Sequence, residues 1–203
     1  MPNWCTTNIE IIYDNQTKLK NLYKLIEKCT ESNYRKNGFG KMWLGNIVGN
    51  ADIGTIDEDK DTDVRCRGWI TELELSEGKI HIATETAWEP CIEMWRFLLE
   101  KELPEAELIY IAEEPGCEIW WTNDPVYINQ YFIDIWDDVD VLNMIFGDDT
   151  DCISKATLIA MLQELMECRE TDINKLLRLF EESEYSDSAA IHRWEYISEA
   201  DLR

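Results

Sequence analysis

The sequence predicts an α+β fold followed by a small acidic helical subdomain. Three observations support this prediction. Apolar residues alternate at a period of two in several segments, which is typical of strands with one buried face. Segments with a helical period of apolar residues separate those strands. Beyond residue 136 the apolar period is helical and acids become frequent. The 203-residue chain therefore divides into an α+β domain at 1–136 and a helical subdomain at 137–203.

The chain begins with a strand and a helix. Residues 4–13 alternate between apolar and polar side chains, which predicts a strand. Thr17 is suited to cap the N-terminus of the next segment, where apolar residues at helical spacing predict a helix ending near Glu31. A long connection follows at 32–68, punctuated by glycines at 38, 40, 45, 49 and 54. Connections of this length are uncommon in compact domains and are often functional.

Four further elements complete the predicted domain. Residues 69–84 form a hairpin with its turn at 76–79, because two alternating runs flank a segment containing glycine. Pro90 suits the first turn of a helix that ends near Pro104, and 107–113 is a strand. The resulting order of strand, helix, strand, strand, helix and strand is the ferredoxin-like topology. Additional strands are expected on either side of a turn at 123–125.

The subdomain after residue 136 contains two well-marked helices. Ser154 is the predicted N-cap of the first, and Thr171 is the predicted N-cap of the second. A third helix is expected from Ser188 to about Ala200.

Three segments carry a resemblance to a known family. They read MPNWCTTNIEI at 1–11, TETAWEPCIEMW at 84–95 and LPEAELIYIAEEPGCEIWW at 103–121. Together they resemble the YubB-type ferredoxin-like proteins of phages and plasmids, over about residues 1–125. The resemblance implies a ferredoxin-like fold and a mobile-element setting. It transfers no catalytic residue to this chain.

No motif in the sequence predicts a metal, a cofactor or a catalytic residue. The seven cysteines contain no CxxC pair, so reduced structural thiols are expected rather than a zinc or redox site. The acids of DEDKDTD at 57–63 begin like a calcium loop, but Thr62 and Gly68 occupy the positions that need glycine and glutamate. His81 and His192 lie in no recognisable nucleophile motif. The protein is therefore predicted not to be an enzyme, although a cryptic site acting on a nucleotide or nucleic acid remains an alternative.

The net charge of the chain limits the classes of partner that we expect. The chain has 42 acids against 19 bases, and residues 61–203 carry the whole excess of −23. Such a field repels nucleic acid and attracts basic proteins. A sheet-based RNA-binding module remains an alternative, and it would need the basic and aromatic segment at 34–41. The first residues do not form a signal-peptide pattern. No stretch of the sequence approaches the roughly 18 apolar residues needed to span a membrane, so a cytoplasmic protein is expected.

The acids near the C-terminus are the predicted partner-binding residues. They form dense clusters, and Trp136 is a possible anchor among them because interface centres are rich in tryptophan. The predicted contact residues are Asp134, Trp136, Asp137, Asp138, Asp140, Asp148, Asp149, Asp151, Glu181, Glu182, Glu184 and Asp187. The leading hypothesis is a non-enzymatic accessory protein of a mobile element. It would block the basic surface of a host nucleic-acid-handling protein, such as a CRISPR nuclease or restriction enzyme, by mimicking nucleic acid. A solvated surface that only prevents association is the alternative.

Overall fold

The computed structural model describes residues 3–31, 39–55, 63–147 and 152–197. These residues form an α+β protein, which confirms the predicted class at this level. The chain divides into two compact units. The first unit comprises Met1–Asn123 and Ile197–Arg203, and the second comprises Asp124–Tyr196.

The first unit contains five strands and three helices within its described residues. In chain order they are β1 (Trp4–Ile12), α1 (Gln16–Glu31), α2 (Leu44–Asn50), β2 (Gly68–Ser76), β3 (Lys79–Ala87), α3 (Ile92–Glu102), β4 (Glu107–Glu114) and β5 (Ile119–Thr122). The strands form a sheet in the order β2-β3-β1-β4-β5, and each neighbouring pair is antiparallel.

Alternation along β1, β2, β3 and β4 creates one buried and one open face of this part of the sheet. Ile9 of β1 lies opposite Ile82 of β3 and Tyr110 of β4, and all three side chains are buried. The apolar residues of α1 and α3, including Ile26 and Trp95, join the same core. Because side chains alternate along a strand, the even-numbered residues of β1 lie on the other face.

The long connection at 32–68 contains a helix that the sequence pattern did not predict. Helix α2 lies within it and buries Leu44, Ile47 and Val48 in the core of the first unit. The sequence pattern did not indicate this helix because glycines interrupt it, and two of them, Gly45 and Gly49, lie inside the helix. The basic residues at 35–36 and the acids at 57–61 lie outside the described residues.

The described residues of the second unit form a small sheet and three helices. Its elements are β6 (Gln130–Ile135), α4 (Asp140–Phe146), β7 (Ile153–Ser154), α5 (Lys155–Leu165), α6 (Ile173–Glu181), β8 (Ala189–Arg193) and β9 (Glu195–Tyr196). The sheet order is β7-β6-β8, with both pairings antiparallel. A separate core contains Leu142, Leu162, Leu176 and Phe180. The division therefore falls at 124 instead of 137, because β6 pairs with β8.

Two predicted helices of this unit are present, and the third prediction is wrong. The Ser154 hydroxyl accepts a hydrogen bond from the Thr157 amide, which confirms Ser154 as the N-cap of α5. The cap of α6 is Asp172, one residue beyond the predicted Thr171. Where a helix at 188–200 was expected, residues 189–193 and 195–196 form β8 and β9, because the backbone of 189–193 pairs with β6. Residues 198–200 lie outside the described part of the chain. Long-range pairing outweighs local propensity here.

None of the helices in the described ranges has the length and apolar content needed to cross a bilayer.

Candidate partner-binding surface

The pairing of β6 with β8 brings two predicted acidic segments together. Ile135 lies opposite Ala189 at the end of the ladder. Beyond it, the Trp136 amide donates a hydrogen bond to the Ser188 carbonyl at 3.1 Å. Residues 136 and 137 therefore lie beside residues 187 and 188, although some fifty residues separate them in the sequence.

Trp136 occupies the junction between the two segments. It keeps 54% of its surface accessible. The indole Nε1–H donates to the backbone carbonyl of Asp187 at 2.9 Å. This hydrogen bond holds an exposed ring in one orientation, so less side-chain entropy would be lost in a contact with another molecule.

The acids of the first segment are oriented by local hydrogen bonds. Asp137 accepts from the Ser188 hydroxyl at 3.3 Å, and Asp138 accepts from the Asn143 amide at 2.8 Å. Asp134 lies exposed on β6, and Asp140 begins α4, where a negative charge is favoured by the helix dipole. All four carboxylates face solvent.

The second acidic segment forms the end of α6 and the turn after it. Glu181 is the last residue of α6 and Glu182 is its C-cap. Ser183 then caps a short 3₁₀ turn that contains Glu184 and Asp187. All four acids are exposed.

The acids of the two segments make up a charged group that basic side chains do not neutralise. No lysine or arginine in the described residues lies within ion-pair distance of its eight acids. Met144, one helical turn after Asp140, adds a second exposed apolar side chain. The acidic Trp136 surface consists of Asp134, Trp136, Asp137, Asp138, Asp140, Glu181, Glu182, Glu184 and Asp187. The other predicted contacts, Asp148, Asp149 and Asp151, lie outside the described residues.

The first unit carries an aromatic cleft that sequence reasoning missed. Its volume is about 180 Å³. The ring centroids of Trp4 and Trp69 lie 5.5 Å apart, and Phe39 lies 5.1 Å from Trp43 and 6.2 Å from Trp69. Arg67 completes the lining. The only signal in the sequence was the basic and aromatic composition near residue 39, because the other rings come from separate strands.

Main-chain contacts hold the cleft together. The Trp69 indole Nε1–H donates to the Phe39 carbonyl at 3.2 Å, and the Ile70 amide donates to the Met42 carbonyl at 2.9 Å. Trp43 forms an isolated bridge with Trp69. A side chain at Gly45 could not fit, since its Cβ would lie 2.2 Å from the Trp43 ring.

The histidines and cysteines do not assemble into a reactive centre. His81 lies opposite Glu10 and Glu74 on the open sheet face, while His192 stacks on Phe132 in the second unit. Burial raises the pKa of the Cys5 thiol to about 11, which makes it a poor nucleophile. Within the described ranges, no group of three or more His, Cys, Asp or Glu side chains is placed to hold a metal ion.

Two thiols are exposed, at Cys117 and Cys152. The neighbouring Glu114 carboxylate raises the pKa of Cys117 through a hydrogen bond, and this disfavours the reactive thiolate. Glu114 itself is buried, and its Oε1 accepts from the Gly116 amide. This arrangement fixes the turn after β4 and offers no activated nucleophile.

The open face of the first unit's sheet is predominantly acidic. Its exposed or half-exposed acids outnumber the single lysine, Lys79, which forms an ion pair with Glu10. Phosphate groups would be repelled along this face, which weighs against the sheet-based RNA-binding alternative. The acids on this face include Glu10, Glu72, Glu74, Glu85 and Glu107.

Comparison with known proteins found no family model, no curated protein and no solved structure that matches the chain. The resemblance to the YubB-type family therefore stays a prediction.

Proposed function

We propose that the protein is a non-enzymatic binding protein whose acidic Trp136 surface covers a basic region of a nucleic-acid-handling protein. The observation that carries the proposal is the half-exposed Trp136, fixed by Asp187 among eight carboxylates without ion pairs in the described residues. A tryptophan supplies the apolar anchor typical of interface centres. The surrounding acids supply attraction and steering toward a positive surface.

Mimicry of nucleic acid is the form of binding that this surface favours. Proteins that bind DNA present lysine and arginine to its closely spaced phosphates. Carboxylates crowded on one surface can occupy the same groove and exclude the nucleic acid. Host CRISPR nucleases and restriction enzymes have such grooves, and a mobile element gains from blocking them. A cytoplasmic location would follow from that role.

For the first unit, we propose a ferredoxin-like βαββαβ arrangement. The support is the strand order β2-β3-β1-β4, with α1 and α2 between β1 and β2 and α3 between β3 and β4. The YubB-type resemblance leads to the same proposal.

The test is inhibition of purified nucleases by charge variants. The variant Asp134→Asn, Asp140→Asn, Glu181→Gln, Glu182→Gln removes four charges and leaves Asp137 and Asp138, which make hydrogen bonds, in place. Its matched control carries Glu72→Gln, Glu74→Gln, Glu85→Gln and Glu107→Gln on the open sheet face. Both variants change the net charge equally, so a difference between them reports the location of the charges.

We expect the first variant to inhibit DNA cleavage about tenfold less well or worse, since several interfacial attractions are lost together. The control should stay within about twofold of the wild type, because its charges lie outside the proposed interface. Equal weakening by both variants would show a nonspecific charge effect. No inhibition of any CRISPR or restriction nuclease by the wild-type protein would reject this class of partner.

A further inference from the structure

We propose that the aromatic cleft of the first unit binds a free mononucleotide, with the base against the rings and the phosphate on Arg67. This site is independent of the acidic Trp136 surface, since none of its residues belongs to the second unit.

The size of the cleft selects a small planar group. Its volume of about 180 Å³ lies below the range of roughly 300–1,000 Å³ typical of sites for larger ligands. A peptide segment or a helix would need a longer groove. One heterocyclic base fits these dimensions, with its sugar and phosphate left at the rim.

The walls of the cleft suit a nucleobase. Phe39 keeps 63% of its surface accessible and Trp4 keeps 41%, so two ring surfaces remain available for stacking. Aromatic side chains stack on every nucleobase with little sequence preference. The hydrogen bond from Trp69 to the Phe39 carbonyl keeps the walls in place before the ligand arrives. Preorganisation of this kind lowers the entropic cost of binding.

The guanidinium of Arg67 favours a negatively charged ligand. Aromatic clusters also bind quaternary ammonium groups and methylated lysines, but a guanidinium in the wall repels such cations. Arg67 makes no ion pair within the described parts of the chain, whereas Arg65 is engaged with Glu89. A free guanidinium binds phosphate through paired hydrogen bonds. Lys41, exposed two residues before Trp43, is a further positive charge in the segment that contributes Phe39 and Trp43.

The surrounding acids favour a single nucleotide over a polymer. Glu85 lies opposite Trp69 in the ladder, and Glu72 and Glu74 continue along the same face. A longer nucleic acid would bring further phosphates against these carboxylates. One phosphate at Arg67 avoids that repulsion.

The proposal is tested by titrating AMP, GMP, CMP and UMP into the protein. Binding is monitored by the indole N–H resonances in NMR spectra and by calorimetry. We expect binding of at least one nucleotide with a shift of the Trp69 indole signal. Adenosine should bind more weakly than AMP, and ribose 5-phosphate should not bind measurably. Absence of binding by all four nucleotides at millimolar concentration would overturn the proposal.

Substitutions then locate the site. Phe39→Ala should weaken AMP binding about tenfold, because one stacked ring is lost. Arg67→Gln should weaken AMP binding by a similar factor and leave adenosine binding unchanged. Trp136→Ala and Arg169→Gln are the matched controls in the second unit, and neither should alter AMP binding. Unchanged binding by Phe39→Ala and Arg67→Gln would contradict the assignment. Phe39 and Arg67 are exposed, so both variants are expected to fold, and circular dichroism would check this.

A short single-stranded oligonucleotide tests whether the site prefers a free nucleotide or a nucleotide within a nucleic acid. A five-residue oligoadenylate should bind no more tightly than AMP, because its additional phosphates face acids. Tighter binding of the oligonucleotide would overturn the commitment to a free nucleotide.

Discussion

The two units each expose an aromatic surface, and the charges beside those surfaces have opposite signs. In the first unit, three partly accessible rings surround a cleft that contains Arg67. In the second unit, Trp136 lies among carboxylates. The sequence of the second unit has 17 acids against 5 bases, whereas the first has 25 against 14 over a longer stretch. We therefore propose that similar rings favour different ligands, an anion beside the positive charge of the first unit and a basic protein beside the negative charges of the second.

The two surfaces also differ in how they are supported. The cleft is built from β1, β2 and the segment before α2, so several long-range contacts determine its shape. The orientation of Trp136 depends on one indole hydrogen bond and on the end of the β6–β8 ladder. Damage to the second unit's core should therefore affect its surface strongly.

The largest effect should come from Phe180→Ala in that core. Phe180 is buried just before the turn that carries Asp187, and truncation of such a ring costs about 3–5 kcal/mol of unfolding free energy. Hydrogen exchange of β6 and α6 would measure the loss. Leu179→Ala, at the neighbouring half-exposed position, is the control and should cost much less. A comparable loss in both variants would contradict the placement of the core.

Alanine substitutions of single aromatic residues should distinguish the roles of the two surfaces. Trp136→Ala should weaken binding to an inhibited nuclease by about 2 kcal/mol, roughly thirtyfold, as is typical of a tryptophan hot spot. Phe39→Ala should leave nuclease binding unchanged. Dissociation constants from calorimetry at fixed salt would measure both. The distinction between the surfaces fails if both variants weaken nuclease binding equally.

A smaller effect is expected from the cap of α5. Ser154→Ala removes the acceptor for the Thr157 amide and should cost about 1 kcal/mol of unfolding free energy. Ser154→Asp keeps an acceptor at this position and is the control. Urea denaturation would measure the difference, and equal loss in both variants would argue against a capping role.

The smallest effect is expected in the pH dependence of the second unit's stability. Amide hydrogen bonds from Asp172 and Thr171, together with Lys175, lower the pKa of Glu170. A lowered carboxyl pKa stabilises the fold above the ordinary glutamate pKa of about 4.3, and this contribution disappears as the pH falls through the folded-state pKa. Unfolding measured between pH 3 and 7 should show a weaker acid dependence in Glu170→Gln. An identical pH profile in the variant would contradict this role.

Local patterns predicted much of the chain. Alternation identified β1 and the hairpin, and the hydroxyl of Ser154 marked the start of α5. The helix expected at 188–200 was wrong because its residues pair with β6, a contact that local propensity does not encode. Helix α2 was missed because glycines interrupt its pattern.

Composition predicted which residues form the acidic surface but not their arrangement. Asp137 and Trp136 were identified from sequence, whereas their contacts with Ser188 and Asp187 depend on pairing between distant strands. The aromatic cleft was not predicted as a unit for the same reason. Trp4, Phe39 and Trp69 come from three separate segments, and only the folded sheet brings their rings together.

Hydrogen exchange of the protein with and without a bound nuclease tests the proposed function most directly. The amides of Trp136 and residues 184–188 should become protected in the complex, while those of 67–76 in β2 and the segment before it should not change. Protection confined to β2 and the open sheet face, with none near Trp136, would contradict a partner-binding role for the acidic Trp136 surface.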